Sequence, residues 1–308
     1  MGEALVAAID IGTNSVLLLV ARAGADGSLE PVEELATITR LGEGVDKSRT
    51  LAPEAVERTL ACLDEYARVI AKWGVTNLAA VGTSAMRDAR GGDIFRAKAK
   101  ALLGTEPRII SGAEEARLTF IGGLSGIRLP PDSSEVIVFD IGGGSTELIR
   151  GNAATGKTSS AVSLDVGSVR LTERHIRTDP PTEAELEALD RDIERLLADA
   201  PSLGDAVLVG VAGTVTTIAA IAGKVDPYDA ARVHGATLSR EAVDATCARL
   251  ASLPLAERVR LPGLSPKRAD VIVAGARLCR AIMQRAGASE LIVSDRGVRW
   301  GLAAELQK

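Results

Sequence analysis

Ala8-Ile9-Asp10-Ile11-Gly12-Thr13-Asn14-Ser15, running into Val16-Leu17-Leu18-Leu19-Val20, reads as a buried strand, a tight turn and a second strand paired back onto the first. The pattern recurs in Val138-Phe139-Asp140-Ile141-Gly142-Gly143-Gly144-Ser145, followed by Thr146-Glu147-Leu148-Ile149-Arg150. Asp, Ile, Gly, Ser and a Leu coincide at the same offsets, and both copies are framed by Val- and Ile-rich runs that suit strands. Two related domains, each opening on the same hairpin, explain this better than two unrelated hairpins sharing D-I-G-x-x-S.

Outward from the hairpins, strands alternate with helices in both halves. After the first, the spacing predicts a helix over 53–73 begun by Pro53, a strand over 77–82, a short apolar run at 108–110 and a helix over 113–124. After the second come a helix over 182–198 opened by a capping box (Thr182 and Glu185) and a strand over 206–211. A helix start at 214–222, a long helix over 265–285, a strand at 291–294 and a last helix over 298–306 complete the chain. The class is α/β. Gly126, Pro130, Pro131 and Asp132 place a linker within 125–134. The expected domains are therefore 1–126 and 127–308, with the last helix free to pack back on the first.

With 308 residues, 46% of them apolar and 25% charged, the chain can bury a core, which excludes intrinsic disorder. No apolar run reaches the ~20 residues that span a bilayer, since the longest candidate, 4–21, contains Asp10 and Asn14. Gly2-Glu3 offers no basic start for a signal peptide. Cys62, Cys247 and Cys279 are odd in number and far apart, so they read as reduced core thiols. His175 and His234 lie near no cysteine, which argues against zinc. A net charge of −5 and 2% aromatic content argue against a nucleic-acid partner. The expectation is a soluble cytoplasmic protein with neither nucleic-acid nor membrane partner. An anionic substrate stays open, because local Arg and Lys clusters can focus field inside an acidic protein.

The Gly-rich turns suggest what that anion is. Strand–Gly–Gly–Gly–Ser–Thr brings several backbone N–H groups to one side, and glycine lets an anion approach closely. Asp140 beside such a cradle would repel the anion unless a cation intervenes, which points to Mg²⁺ held by Asp140 and by Glu147 across the turn. A third element, Val209-Gly210-Val211-Ala212-Gly213-Thr214-Val215-Thr216-Thr217, puts Gly213 and Thr214 at a strand-to-helix junction. There it serves either as a packing turn or as an anion contact. Residues 151–158 satisfy G-x-x-x-x-G-K-[ST] but open no helical pattern, so they read as a hairpin loop, not a P-loop. His234 reads as a structural hydrogen-bonder. Arg277, Arg280 and Arg285 read as a solvated helix face.

D-I-G-T-N-S at 10–15, D-I-G-G-G-S-T-E at 140–147 and G-V-A-G-T-V-T-T at 210–217 resemble the two phosphate motifs and the nucleoside-side motif of the actin/hexokinase/heat-shock-chaperone superfamily. More narrowly, the chain resembles the exopolyphosphatase / guanosine pentaphosphate phosphohydrolase family. It shares T-S-A-M-R-D-A at 83–89, S-G-A-E-E-A-R at 111–117, G-S-V-R-L-T-E at 167–173, V-H-G at 233–235, K-R-A-D-V-I-V-A-G at 267–275 and V-S-D-R-G-V-R-W-G-L at 293–302. The resemblance implies two ribonuclease-H-like domains flanking a cleft, in the family's short two-domain form. Longer members carry a further helical domain that helps grip long chains.

The resemblance also implies roles. Glu115 matches the family's catalytic carboxylate and Arg87 its motif arginine beside the phosphate. Asp140 and Glu147 match the metal- and water-positioning acids, and Asp10 is their counterpart in the first turn. Thr13, Asn14 and Ser15, with Gly142, Gly143, Gly144 and Ser145, match the phosphate-contacting turns, joined by Gly213 and Thr214. Arg268 falls where some relatives set a basic residue against polyphosphate or a guanosine polyphosphate. Leu17 departs from the basic or polar residue common there, so one side contact is missing. The implied reaction is Mg²⁺-dependent release of orthophosphate from the end of inorganic polyphosphate, with guanosine pentaphosphate as the alternative substrate, and the resemblance admits a homodimer. Two rivals are an ATP-dependent kinase or ATPase of the same superfamily and an alarmone sensor without turnover. The water-directed base in E-E-A-R disfavours the first, and the intact acids disfavour the second.

Overall fold

A computed structural model describes residues 5–24, 28–131, 133–198, 200, 202–204 and 206–307. The sequence readings at Gly2, Glu3 and Asp132 and at the start of the 4–21 run lie outside them. Each Asp-Ile-Gly repeat forms a hairpin. β1 (Leu5–Ile11) pairs antiparallel with β2 (Ser15–Ala23), which pairs antiparallel with β3 (Leu29–Ile38). β4 (Asn77–Gly82) joins β1 in parallel and β5 (Arg108–Ile109) joins β4, so the sheet order is β3-β2-β1-β4-β5. The second half repeats that order with β6 (Glu135–Ile141), β7 (Thr146–Asn152), β8 (Lys157–Leu164), β9 (Val207–Val211), β10 (Thr237–Ser239) and β11 (Glu290–Val293). Its sheet runs β10-β11-β9-β6-β7-β8, so β10 is an added antiparallel edge strand. A three-stranded antiparallel meander followed by parallel strands reached through helices is the ribonuclease-H-like arrangement.

The chain divides into two units, residues 1–122 with 298–308, and residues 123–297. In the first, Ala7, Ile9 and Ile11 of β1 and Val16 and Leu18 of β2 pack with Leu63, Tyr66 and Ile70 of the helix Pro53–Lys72. The opposite face of β1, carrying Val6 and Ala8, packs with Leu118 of the helix Gly112–Leu124 and with Val298, Trp300 and Leu302 of the terminal helix Val298–Leu306. Polar contacts tie down that last helix. Arg299 meets Glu34 at 2.7 Å, the Trp300 indole N–H reaches the same carboxylate at 3.3 Å, and Asn77 donates to the Leu306 carbonyl at 2.9 Å. In the second unit Ile137, Phe139, Ile141 and Leu148 share one core with Leu189, Ile193, Val215, Ile218, Leu278 and Ile282.

Some elements depart from the sequence reading. β3 went unread because Glu30, Pro31, Glu33 and Glu34 break its apolar pattern, as befits an edge strand, and its register with β2 slips near Pro31. The expected helix over 265–285 breaks into a 3₁₀ turn, Pro266–Arg268, and a helix, Ile272–Ala286. At the break Arg258 Nη1 donates to the Ala269 carbonyl at 3.0 Å. Arg277 and Arg280 are not a solvated face, because both pair with Asp190 on the neighbouring helix Glu183–Leu197 and the Arg277 side chain is 13% exposed. The capping box at Thr182 and Glu185 is present. Residues 153–156 form the turn between β7 and β8, with Gly156 at φ 66°.

All three cysteines are buried and unbonded to one another, and burial raises each thiol pKa, for Cys247 to about 12. They should resist a water-soluble thiol reagent in the native protein and react fully once it is unfolded in urea. A Cβ added at Gly301 would fall on the Leu118 backbone, so this glycine sets how closely the terminal helix approaches its neighbour. Gly301→Ala is expected to cost about 1–3 kcal/mol through overpacking, read as a lower urea midpoint at unchanged m-value.

Candidate functional site

The two hairpin turns are built alike. The Gly12 N–H donates to the Ser15 carbonyl at 2.9 Å, and the Gly142 N–H to the Ser145 carbonyl at 3.0 Å. A following segment then grips the turn's carbonyls from behind. In the first unit the Gly42 N–H takes the Thr13 carbonyl at 2.9 Å, and the Thr39 and Arg40 N–H groups take that of Asn14 at 3.1 and 3.0 Å. A Cβ at Gly42 would collide with Thr13, so glycine is required for this approach.

In the second unit the grip comes from the start of the helix Ser168–His175. The Ser168 N–H takes the Gly142 carbonyl at 2.9 Å, and the Val169 and Arg170 N–H groups take that of Gly143 at 2.9 and 3.1 Å. Arg170 Nε takes the Gly144 carbonyl at 2.7 Å. Gly167 allows the closeness, since a Cβ there would land on Gly143. A trans peptide directs its N–H opposite to its C=O. The N–H groups of Gly143, Gly144 and Ser145 therefore face away from the helix, and they donate to no group among the described residues. The Asn14 N–H, which follows the held Thr13 carbonyl, likewise faces away from residues 39–42. Among the described residues neither it nor the Thr13 N–H donates to any group, and Asn14 Oδ1 is buried with no hydrogen-bond partner. Rows of unused amides on a Gly-rich turn form an anion cradle.

The acids around the turns differ. Asp140 and Glu147 are direct cross-strand partners, so their carboxylates share one face of the sheet. Glu147 is buried and accepts from the Ser163 hydroxyl on β8 at 2.6 Å. At the matching place in the first turn, Asp10 stands opposite Leu17. Among the described residues no three His, Cys, Asp or Glu side chains gather into a metal-holding group. Two facing carboxylates nonetheless suit Mg²⁺, which takes one or two carboxylates and completes its shell with water and substrate phosphates.

Glu115 and Arg87 come together in the first unit. Arg87 lies in the helix Ser84–Asp88, and its Nη1 meets Glu115 Oε2 at 2.9 Å while also donating to the Ile110 carbonyl at 3.0 Å. Glu115, in the first turn of the helix Gly112–Leu124, is 6% exposed. Burial raises its pKa above the ordinary glutamate value, and the Arg87 contact only partly offsets this.

The third glycine element belongs beside the second turn. Its helix begins at Ala212, which has φ 66°, and Thr214 Oγ1 donates to the Ile141 carbonyl at 3.2 Å, one residue before the turn. Gly213 faces the Arg268 guanidinium, which fills the place a Cβ would take. Tyr228 donates to Asp295 at 2.7 Å, and both influence Arg268 electrostatically. His234 Nδ1 accepts the Asp295 N–H at 3.3 Å, the structural role expected of it. His175 pairs instead with Asp192 at 2.9 Å. Reading by motif missed the parts played by Ser163, Ser168, Arg170, Tyr228 and Asp295. The motifs at 167–173 and 293–302, which contain Ser168, Arg170 and Asp295, carried a signal for three of these residues.

Two ribonuclease-H-like units, each with a Gly-rich turn closing its first hairpin, define the architecture of the actin/hexokinase/heat-shock-chaperone superfamily. Within it, the chain belongs to the Ppx/GppA phosphatase family, whose pattern matches residues 19–308. It is 38% identical to exopolyphosphatase 2 of Mycobacterium tuberculosis over 98% of both chains. It is 32% identical to the guanosine-5'-triphosphate,3'-diphosphate pyrophosphatase of Vibrio atlanticus over 98% of this chain and 59% of that one. Among solved structures it resembles an exopolyphosphatase-like protein (TM-score 0.93, 34% identity, 99% and 98% of the two chains covered). It also resembles the Aquifex aeolicus Ppx/GppA family member (TM-score 0.83, 33% identity, 98% and 97% covered).

Because burial dominates at Glu115, its carboxyl should titrate above an ordinary glutamate when followed by side-chain ¹³C NMR. In Arg87→Gln, which loses the charge that favours ionisation, it should titrate higher still.

Proposed function

We propose that this chain is a Mg²⁺-dependent exopolyphosphatase that hydrolyses the terminal phosphoanhydride of inorganic polyphosphate to orthophosphate and the shortened chain. Guanosine pentaphosphate is the second substrate to consider. The carrying observation is the Gly142–Ser145 turn, with its unused amides beside the facing carboxylates of Asp140 and Glu147. That combination suits a polyanion presented with a divalent cation. Full-length similarity to an exopolyphosphatase supports the choice of substrate. The shorter coverage of the pyrophosphatase from Vibrio atlanticus makes guanosine pentaphosphate the alternative.

Within this reading each residue has a chemical task. The amides of Thr13 and Asn14, and those of Gly143, Gly144 and Ser145, hold phosphate oxygens and favour the charge that builds on them. Ser15, Gly142, Gly213 and Thr214 shape these contacts. Asp140 and Glu147 hold Mg²⁺, with Asp10 as the matching acid of the first turn. When bound, the ion neutralises phosphoryl charge. Glu115 takes the proton from the attacking water, a task its raised pKa suits, and Arg87 orients it. Arg268 adds positive charge beside Gly213. Its guanidinium fills the space that a Cβ at that glycine would take. A cytoplasmic setting fits three buried, unpaired thiols.

Phosphate release should be fastest from polyphosphate, slower from guanosine pentaphosphate and negligible from ATP. Chelation by EDTA should abolish it and added Mg²⁺ restore it. Glu115→Gln should fold normally yet turn over about 10²- to 10⁴-fold more slowly. Wild-type activity should rise with pH through a pKa above that of an ordinary glutamate, because the base works only when ionised. Near-normal turnover by Glu115→Gln would remove Glu115 from the mechanism.

A further inference from the structure

The Gly167–Glu173 segment has no part in the reaction as assigned, yet it places a buried cation directly behind the phosphate turn. Arg170 is 5% exposed and its Nε lies 2.7 Å from the Gly144 carbonyl. The carbonyls of Gly142 and Gly143 are already held by the backbone amides of Ser168, Val169 and Arg170. That of Gly144 is held, among the described residues, by the Arg170 side chain alone. Gly144 has no Cβ to oppose rotation of the peptide that follows it. Without a partner for its carbonyl, the Gly144–Ser145 peptide is free to turn and carry the Ser145 N–H out of line with its neighbours. A charged donor on the carbonyl also polarises the peptide and makes that N–H a better donor.

We infer that Arg170 is a positioning residue, which by holding the Gly144 carbonyl aims the Ser145 N–H at a bound phosphate oxygen. The inference rests on the reading of this turn as a phosphate site. Arg170 does not touch the substrate. The helix start does not bind it either, because its amides are spent on the turn. Lysine is not an equivalent, since its ammonium lacks the fixed planar N–H that meets this carbonyl.

Arg170→Lys and Arg170→Gln test it. Each should lower kcat/KM for polyphosphate about 10- to 100-fold, the range for losing one charge-assisted hydrogen bond. Turnover is measured well below each variant's own melting temperature. The discriminating readout is the amide ¹H–¹⁵N spectrum during titration with inorganic phosphate. In the wild-type protein the Gly143, Gly144 and Ser145 amides should all shift. In the variants Gly143 and Gly144 should still shift while Ser145 does not.

Several results would overturn the inference. These are variants that keep the Ser145 shift with kcat/KM within about twofold of wild type, an equal loss of all three shifts, or failure of both variants to fold. The last two mark a general structural role. If the wild-type amides stay put on adding phosphate, the turn is not a phosphate site and the reading beneath the inference fails first.

Discussion

The orientation of a few peptide planes governs everything else in this protein. A Gly-rich turn has many conformations available to it, and it becomes an anion cradle only when its carbonyls are held so that its amides point the other way. Both units hold the turn's carbonyls by bringing a later segment up behind it, residues 39–42 in one and the start of the helix Ser168–His175 in the other. In each case a glycine, Gly42 or Gly167, permits an approach that any side chain would block. The sheets, with their buried β1 and β6, fix where each turn starts, and the clamping segments fix which way it faces.

The duplicated hairpins have diverged where chemistry distinguishes them. Across from Asp140 the second unit places Glu147, buried and held by Ser163, whereas across from Asp10 the first places Leu17. One hairpin thus carries a pair of carboxylates on one face and the other a single carboxylate. Conversely, the first unit supplies the buried Glu115 in its salt bridge with Arg87. Burial and the neighbouring cation pull that carboxyl in opposite directions, and burial prevails. An acid poised in this way can accept a proton from water, and Arg87 limits how far its affinity for protons climbs.

Similarity to exopolyphosphatase 2 of Mycobacterium tuberculosis extends along nearly the whole of both chains. The Arg268–Gly213 contact adds a restriction of its own. The backbone is bare at Gly213, as at a ligand-facing position, but a guanidinium from the same unit occupies the space. A cation fixed there places positive charge at the start of the helix Ala212–Ala222.

Much was legible in the sequence because it is local or periodic. The Asp-Ile-Gly repeat, the helix after Pro53, the Thr182 capping box and the hairpin nature of residues 151–158 each depend on neighbours a few residues apart. The family resemblance carried Glu115 and Arg87 as separate motif residues. Tertiary structure decided what depends on distant partners. It joined Arg87 to Glu115, set the Ala269 carbonyl against Arg258 where the expected helix breaks, and turned Arg277 and Arg280 inward onto Asp190. It also brought Arg170 to the Gly144 carbonyl. Local pattern records which side a residue prefers, but a hydrogen bond between residues tens of positions apart exists only once packing has set their distance and angle. For that reason the turns could be read from the amino acids alone, and the direction of their amides could not.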